Sequence, residues 1–454
     1  MSRKARTPKK IKNLDALTVL HPHAAGLDIG ASEIWACVPT AADKDSVRMF
    51  CTFTPDLHAL ADWFAACGID TVAMESTGVY WIPIFEILEA RGITVFLVNA
   101  WHLKHVPGRK SDVLDCQWIQ TLHCLGLLRA SFRPDAEMCA LRTLLRHRAE
   151  LIQHRAPHIL HMHKALLQMN LQLGLAVSDL TGDTGLAILR AIVAGERDPR
   201  KLALLRHPRC DASEEDFVKA LTGSWRSELL FTLQQALELF DFYTRQLAAC
   251  DAELQRRFAA CQPRWDAPAD IPPLPKVKAT SHSKNEPAYD ARAALFRLVG
   301  VDLCAIKGLS ASLVQTLLTE IGTDMSQFPS DKNFCAWLGL APHPDISGGK
   351  VLRNNTLKTH HRAGQAFRQA AACVIRANSA FGAYYRRKKV HLGPMQALVA
   401  TTHKIARTVY HLLKTKQPYL DIGAEAYDQQ QKDRELAYLK RKAAKLGFTL
   451  SAAA

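Results

Sequence analysis

The chain has 454 residues, of which 48% are hydrophobic and 22% charged. That suffices for roughly three structural units and excludes global disorder, a collagen-like repeat and a mini-protein. The formal net charge is +15, and its distribution says more than its size. Ile346 to Leu420, 75 residues, holds 14 Lys and Arg and not one Asp or Glu, and residues 1–13 hold six more basic groups. The rest of the chain is net acidic. A basic module on such a body fits a polyanionic partner, nucleic acid above all. A solvated basic surface explains 75 acid-free residues less well. No uncharged apolar run approaches the ~18 residues of a membrane span. The basic start is followed by no apolar signal core, so a cytoplasmic location is expected. The 12 cysteines include no CxxC pair, so they read as small buried hydrophobes in a reducing compartment and not as a zinc ribbon.

In chain order, residues 24–39 read as strand, tight turn and strand, and 46–53 as a third strand. A helix over 57–68 stops at Gly68. Residues 71–77 form a short apolar strand, 80–92 a helix closed by Gly92, 94–100 another strand, and 112–126 a helix after a basic loop. Strands followed by strand–helix alternation indicate an α/β domain. From about 135 to 260 the apolar spacing is three and four, as in 141–170 and 229–258, which predicts long helices paired like a coiled coil. Residues 262–287 contain six prolines and read as a linker or strap. A second, helical unit starts near 295, the basic module runs to about 420, and 432–447 reads as a charged helix.

Four constellations carry possible chemistry. Asp28 and Glu75 stand at the ends of predicted strands, and Asp112 and Asp115, three apart, share one face at the start of a helix. Four converging carboxylates repel unless cations lie between them. Oxygen donors suit Mg²⁺ or Mn²⁺, and two such ions ~4 Å apart clamp an in-line phosphoryl displacement. The plainer reading leaves each acid solvated or capping a helix, as Asp112 after Ser111 can. The second constellation is Ser347 in Asp345-Ile346-Ser347-Gly348-Gly349-Lys350. A serine in such a loop is ordinarily a turn residue, and a nucleophilic one needs a base or a metal. Its place at the entrance to the acid-free segment raises its interest. Third, 305–311 is similar to a helix-hairpin-helix turn with one glycine in place of two, and equally to an ordinary helical hairpin. Fourth, His154, His158, His161 and His163 lie on one helix. No cysteine or carboxylate completes a zinc set, so they read as partly buried or RNA-facing.

Asp28, Glu75, Asp112, Asp115 and the downstream Ser347 together resemble the DEDD-type insertion-sequence transposases, the IS-one-ten family, and within it the IS-eleven-eleven subgroup. GLDIG, AMESTGVYW, GRKSDVLDCQWIQTLHCLGLLRASF, SDLTGDTGLAILRAIVAGERDP and IGTDMSQFPSDKNFCAWLGLAPHPDISGGKVL carry the resemblance over nearly the whole chain. Lys307-Gly308-Leu309 departs from the more usual Pro-Gly-Ile type of turn. The resemblance implies an α/β plus all-α protein. It would comprise a RuvC-like, RNase H-type domain over 20–131, a helical coiled-coil dimerisation region over 132–261 and a proline-rich linker over 262–294. A basic, mainly helical transposase domain over 295–420 and a charged helical tail over 421–454 would complete it. It further implies Mg²⁺ or Mn²⁺ on the four carboxylates and Ser347 as nucleophile, forming a phosphoserine link to DNA. Donor and target DNA, a noncoding guide RNA of the bridge type, and dimers pairing into tetramers are implied as partners. So is a bacterial, nucleoid-associated setting. Arg109, Lys110, Lys350 and Arg353 are placed to contact phosphates. A RuvC-like nuclease or Holliday-junction resolvase without a covalent intermediate, a non-catalytic nucleic-acid-binding protein, and an actin-like ATPase suggested by the DIG turn are the competing readings.

Overall fold

The computed structural model describes residues 18–76, 78–99, 112–266, 284–356 and 361–451. It divides into two compact units, 1–133 and 134–454.

The first unit is built on a five-stranded sheet of β1 (Ala24–Ile29), β2 (Glu33–Cys37), β3 (Val47–Cys51), β4 (Thr71–Glu75) and β5 (Thr94–Val98), in the order β3-β2-β1-β4-β5. The first three strands form an antiparallel meander, while β4 and β5 run parallel to β1. Parallel pairing needs crossovers. They are supplied by α1 (Thr54–Ala66) and α2 (Trp81–Ala90). Leu27, Ile34, Val72 and Met74 pack with Leu60, Phe64, Ile84 and Leu88 on that face. A third helix, α3 (Asp112–Cys124), covers the other, where Ala73, Val98, Ile119 and Leu128 cluster. Central strands covered on both sides read as apolar runs, which is why TVAME is legible as a strand without alternation. The arrangement is consistent with an RNase H-like domain.

The second unit is largely helical. Its backbone is the pair α4 (Ala136–Gln168) and α9 (Ser227–Ala260). They run antiparallel, since Cys250 meets Leu144, Asp251 meets Arg148, and Tyr243 meets His154 and His158. Helix α4 begins five residues before the apolar periodicity does, because the Asp135 carboxylate accepts from Met138 N at 2.9 Å and caps it. Between these two come α5 (Leu173–Ala176), α6 (Asp183–Val193), α7 (Pro199–Ala203) and α8 (Glu214–Ala220). Ile188, Leu189, Ile192 and Phe217 seal them against Met162, Leu166, Leu233 and Leu237. The histidine row is absorbed here: His154 and His158 stack on Tyr243 at 5.9 and 5.5 Å, and His163 closes over Gly174.

The remaining helices are α10 (Ala291–Val299), α11 (Ala311–Ile321), α12 (Asp331–Trp337), α13 (Arg362–Val374), α14 (Ala380–Thr415) and α15 (Gly423–Lys445). Helix α14 is broken at Gly393, whose φ of 76° precedes Pro394. Helix α15 starts nine residues before the charged stretch that predicted it, with Ala424 and Tyr427 buried. Between α12 and α13 lies a hairpin, β6 (Pro342–Ser347) and β7 (Lys350–Thr356). The sequence reading had only a loop there. No apolar alternation announces these strands, and their described residues are almost wholly exposed. Residues 305–311 form a turn with Gly308 at φ 95° that leads into α11. A 3-10 turn at Leu303–Ala305 stands at its start, and Gly308 is pressed against the Ala370 carbonyl of α13.

The α4–α9 pair is tied down by a buried ion pair. Arg148 and Asp251 are 7% and 6% exposed by side chain. Arg148 Nη1 also donates to the Asn285 carbonyl, and Ala288 N donates to Asp251, so the far side of the proline-rich segment is pinned to the helices. Arg297 bonds the carbonyls of Phe258, Ala259 and Cys261 at the α9 C-terminus. Breaking a buried pair from one side strands a charge. Arg148→Met is therefore expected to lower stability by ~3–5 kcal/mol, read from denaturant midpoints. Arg148→Met combined with Asp251→Leu should recover part of it. An unchanged midpoint in the single variant would contradict this account.

Candidate active site

Asp28 and Glu75 are brought together by strand register. Leu27 of β1 pairs with Met74 of β4, so the next residues along, Asp28 and Glu75, are neighbours at the ends of adjacent parallel strands. Both face α3. Leu27 and Met74 point into the α1–α2 core, whereas Ala73, two before Glu75, packs with Ile119 of α3. Gly26, two before Asp28, faces the backbone of α3 directly.

Helix α3 runs antiparallel to β1. Gln120 Nε2 donates to the Ala24 carbonyl, Gly26 meets Cys116 and Gln120, and the charge of Asp28 is felt at Cys116. The first turn of α3, with Asp112 and Asp115, therefore arrives at the strand ends that carry Asp28 and Glu75. Asp115 is partly exposed. The backbone of Asp112 opens the helix; its side chain lies outside the described residues, as do Arg109 and Lys110 altogether. Buried His123 anchors the other end of α3 through a 2.9 Å hydrogen bond with Thr71 Oγ1, and burial lowers its pKa to about 4, leaving it neutral near pH 7.

Two thiols lie behind this face. The hydrogen bond with Cys37, then burial, push the Cys116 thiol up, and the nearby Asp28 charge adds to this. The same hydrogen bond lowers the Cys37 thiol, and the acids gathered at the strand ends offer carboxylate oxygens, which suit a hard divalent cation. Among the described residues no cluster of three or more His, Cys, Asp or Glu is closed around a metal position.

Ser347 lies in the second unit. It is the last residue of β6 and pairs with Lys350 across a two-residue turn. Gly348 and Gly349 have φ of 57° and 78°, the backbone of a tight hairpin that L side chains resist. The turn makes Ser347 and Lys350 the projecting groups at the tip. Asp345 and Arg353 pair across the strands at 3.3 Å, both largely exposed. Among the described residues no hydrogen bond restrains the Ser347 hydroxyl.

Two family models match the chain. The DEDD transposase model of the IS110 group matches residues 25–171, which hold Asp28, Glu75, Asp112 and Asp115. The transposase IS116/IS110/IS902 family model matches 302–386, which hold Ser347, Lys350 and Arg353. The chain carries the domains of an IS110-family transposase. It is accordingly an enzyme that acts on DNA by phosphoryl transfer, with divalent-metal dependence suggested by its DEDD domain. No curated protein matches the chain. No described helix is long and apolar enough to cross a membrane.

Sequence reasoning missed Gly26. A Cβ there would lie 2.4 Å from Cys116 O and from Gln120 N. Its signal is a glycine in the interior of a central strand, after Ala24 and Ala25. Gly26→Ala is expected to push α3 off the sheet, costing ~1–3 kcal/mol by overpacking, and to reduce DNA cleavage if the first turn of α3 serves the active site. Denaturation and cleavage assays on the same preparation check this, and wild-type values in both would contradict it.

Proposed function

We propose that this transposase is a site-specific recombinase of the IS-eleven-eleven type that breaks and rejoins DNA through a phosphoserine on Ser347, directed by a bridge-type noncoding RNA. The observation that carries the reading is the meeting of Asp28 and Glu75 with the first turn of α3, in a chain whose other family domain offers a serine on a two-glycine turn. The five-part division from 20–131 to 421–454 is the working domain plan.

Asp28, Glu75, Asp112 and Asp115 would hold the divalent ion, Mg²⁺ or Mn²⁺. When bound, it supplies positive charge to the phosphoryl oxygens as negative charge builds there. Ser347 Oγ attacks phosphorus, its proton passes to a base, and one P–O bond of the DNA backbone breaks to leave a hydroxyl end. The phosphodiester to serine stores the energy of the broken bond. A hydroxyl of the exchanged strand then attacks the same phosphorus and releases the serine. Lys350 and Arg353 contribute cations beside Ser347 on the hairpin. Acids of one subunit would meet the serine of another, in dimers that pair into tetramers.

The unrestrained Ser347 hydroxyl favours a second reading, a metal-dependent nuclease that uses water, with Ser347 a turn residue. Trapping separates the two. Ser347→Ala should abolish covalent protein–DNA adducts and leave nucleic-acid binding intact; adducts that persist in this variant refute the nucleophile. Asp28→Ala and Glu75→Gln should lower strand cleavage by roughly 10²-fold or more, the scale of losing charge stabilisation in a transition state. Chelation should do the same and Mg²⁺ should restore activity, whereas full activity in chelator would remove the metal role. RNA that co-purifies with protein expressed beside its native flanking DNA should be one discrete noncoding species. A heterogeneous pool released by moderate salt would end the guide reading.

A further inference from the structure

Helices α14 and α15 meet at a cationic and aromatic seam. Lys404 of α14 is half-buried there, its Nζ 4.3 Å from the centre of the Tyr384 ring and 4.6 Å from that of Tyr427 on α15. Lys388 Nζ lies 5.8 Å from the Tyr384 ring, and Arg387 donates to Gln431 of α15. Arg434, three residues beyond Gln431, brings a fourth cation. Burial, then the charges of Arg434, Arg387 and Lys388, lower the Lys404 ammonium to about 8.

Acids nearby are engaged elsewhere or face outward. Asp421 accepts from Ala380 N and Gly423 N, Asp433 takes Gln429, and Glu425 and Asp428 are exposed, Asp428 beside Tyr427. Among the described residues none of the four cations forms an ion pair with a carboxylate. Docking α15 on α14 needs only the two tyrosines and an apolar partner. Gathering three more like charges around a half-buried ammonium opposes that docking, and an anion at the seam reverses the sign. The seam lies at the end of a segment free of acids, in a chain whose substrate is a polyphosphate.

We propose that the α14–α15 seam is a phosphate seat, in which Arg387, Lys388, Lys404 and Arg434 hold a backbone phosphodiester of a nucleic-acid strand. The seat rests on the nucleic-acid reading above and adds to it a place and four residues distinct from Ser347 and the carboxylates. Phosphodiesters occur in DNA and in RNA, and binding tests separate the two sources.

The test is fluorescence anisotropy with the full chain, using a labelled duplex DNA and a labelled single-stranded RNA of equal length over a salt series. Arg387→Gln and Arg434→Gln, both at exposed positions, should each weaken binding roughly three- to tenfold. Each should also flatten the slope of log affinity against log salt by ~0.7–0.9, the signature of one lost phosphate contact. Lys164→Gln, exposed on α4, should change neither. An effect on the duplex alone assigns the phosphate to DNA, and on the single strand alone to RNA. Lys404→Met keeps the clamp filled; it should flatten the slope and leave the denaturation midpoint in place, whereas a purely structural lysine would shift the midpoint and spare the slope. Wild-type slopes in Arg387→Gln, Arg434→Gln and Lys404→Met overturn the seat while nucleic-acid binding stands. Failure of the wild type to bind either polymer removes the seat and the broader reading together.

Discussion

The contact on which the first unit depends is backbone against backbone, at Gly26. With no Cβ in the way, α3 lies directly on the central strand, and the carbonyl of Cys116 and the amide of Gln120 approach closer than any side chain allows. This fixes the distance between helix and sheet, and with it the height at which the first turn of α3 crosses the strand ends. Parallel pairing of β1 with β4 does the rest. Acids far apart in sequence meet because register is a whole-number property. A slip of one residue would turn Asp28 and Glu75 away from α3 into the apolar α1–α2 core.

In the second unit the organising charges are spent on structure in one place and left unspent in another. Arg148 and Asp251 are buried together, share hydrogen bonds with the backbone near residues 285–288, and hold the helical pair to the segment that follows it. Arg146, two residues earlier on another face of α4, pairs with Glu320 and joins the helix to α11. Toward the C-terminus cations outnumber acids: Arg353 and Arg407 keep carboxylate partners, Asp345 and Asp331, while among the described residues Arg387, Lys388, Lys404 and Arg434 form no carboxylate ion pair. Stability and ligand chemistry thus differ along the chain, with acid–base pairs in the helical middle and a surplus of positive charge beyond Ile346.

Much of this was legible in the sequence, for identifiable reasons. The strands of the first unit announce themselves because a doubly covered sheet needs continuous apolar runs, and GLDI and TVAME have them. The long helices follow from three- and four-residue spacing, although the Asp135 cap and the burial of Ala424 and Tyr427 carry two of them beyond the stretch that periodicity marks. Asp28 and Glu75 could be singled out as strand-end acids, but only register showed them to be neighbours on one face. The β6–β7 hairpin was not legible. An exposed two-stranded ribbon buries no face, so no alternation is imposed on it, and only the glycine pair marks the turn. The Lys404 clamp was equally hidden, since it joins residues of two helices through ring faces.

The hairpin turn has a consequence for how its tip can change. Gly348 and Gly349 both sit in the left-handed region, with open space around them. Substitution there meets no neighbour, so its cost falls entirely on backbone torsion and leaves the surrounding core indifferent. The tip is thus buffered from the rest of the fold: altered torsions would re-aim Ser347 and Lys350 without loosening the protein that carries them. Fidelity of the tip and solidity of the body are separate inheritances, and a copy of this chain can lose the first while keeping the second.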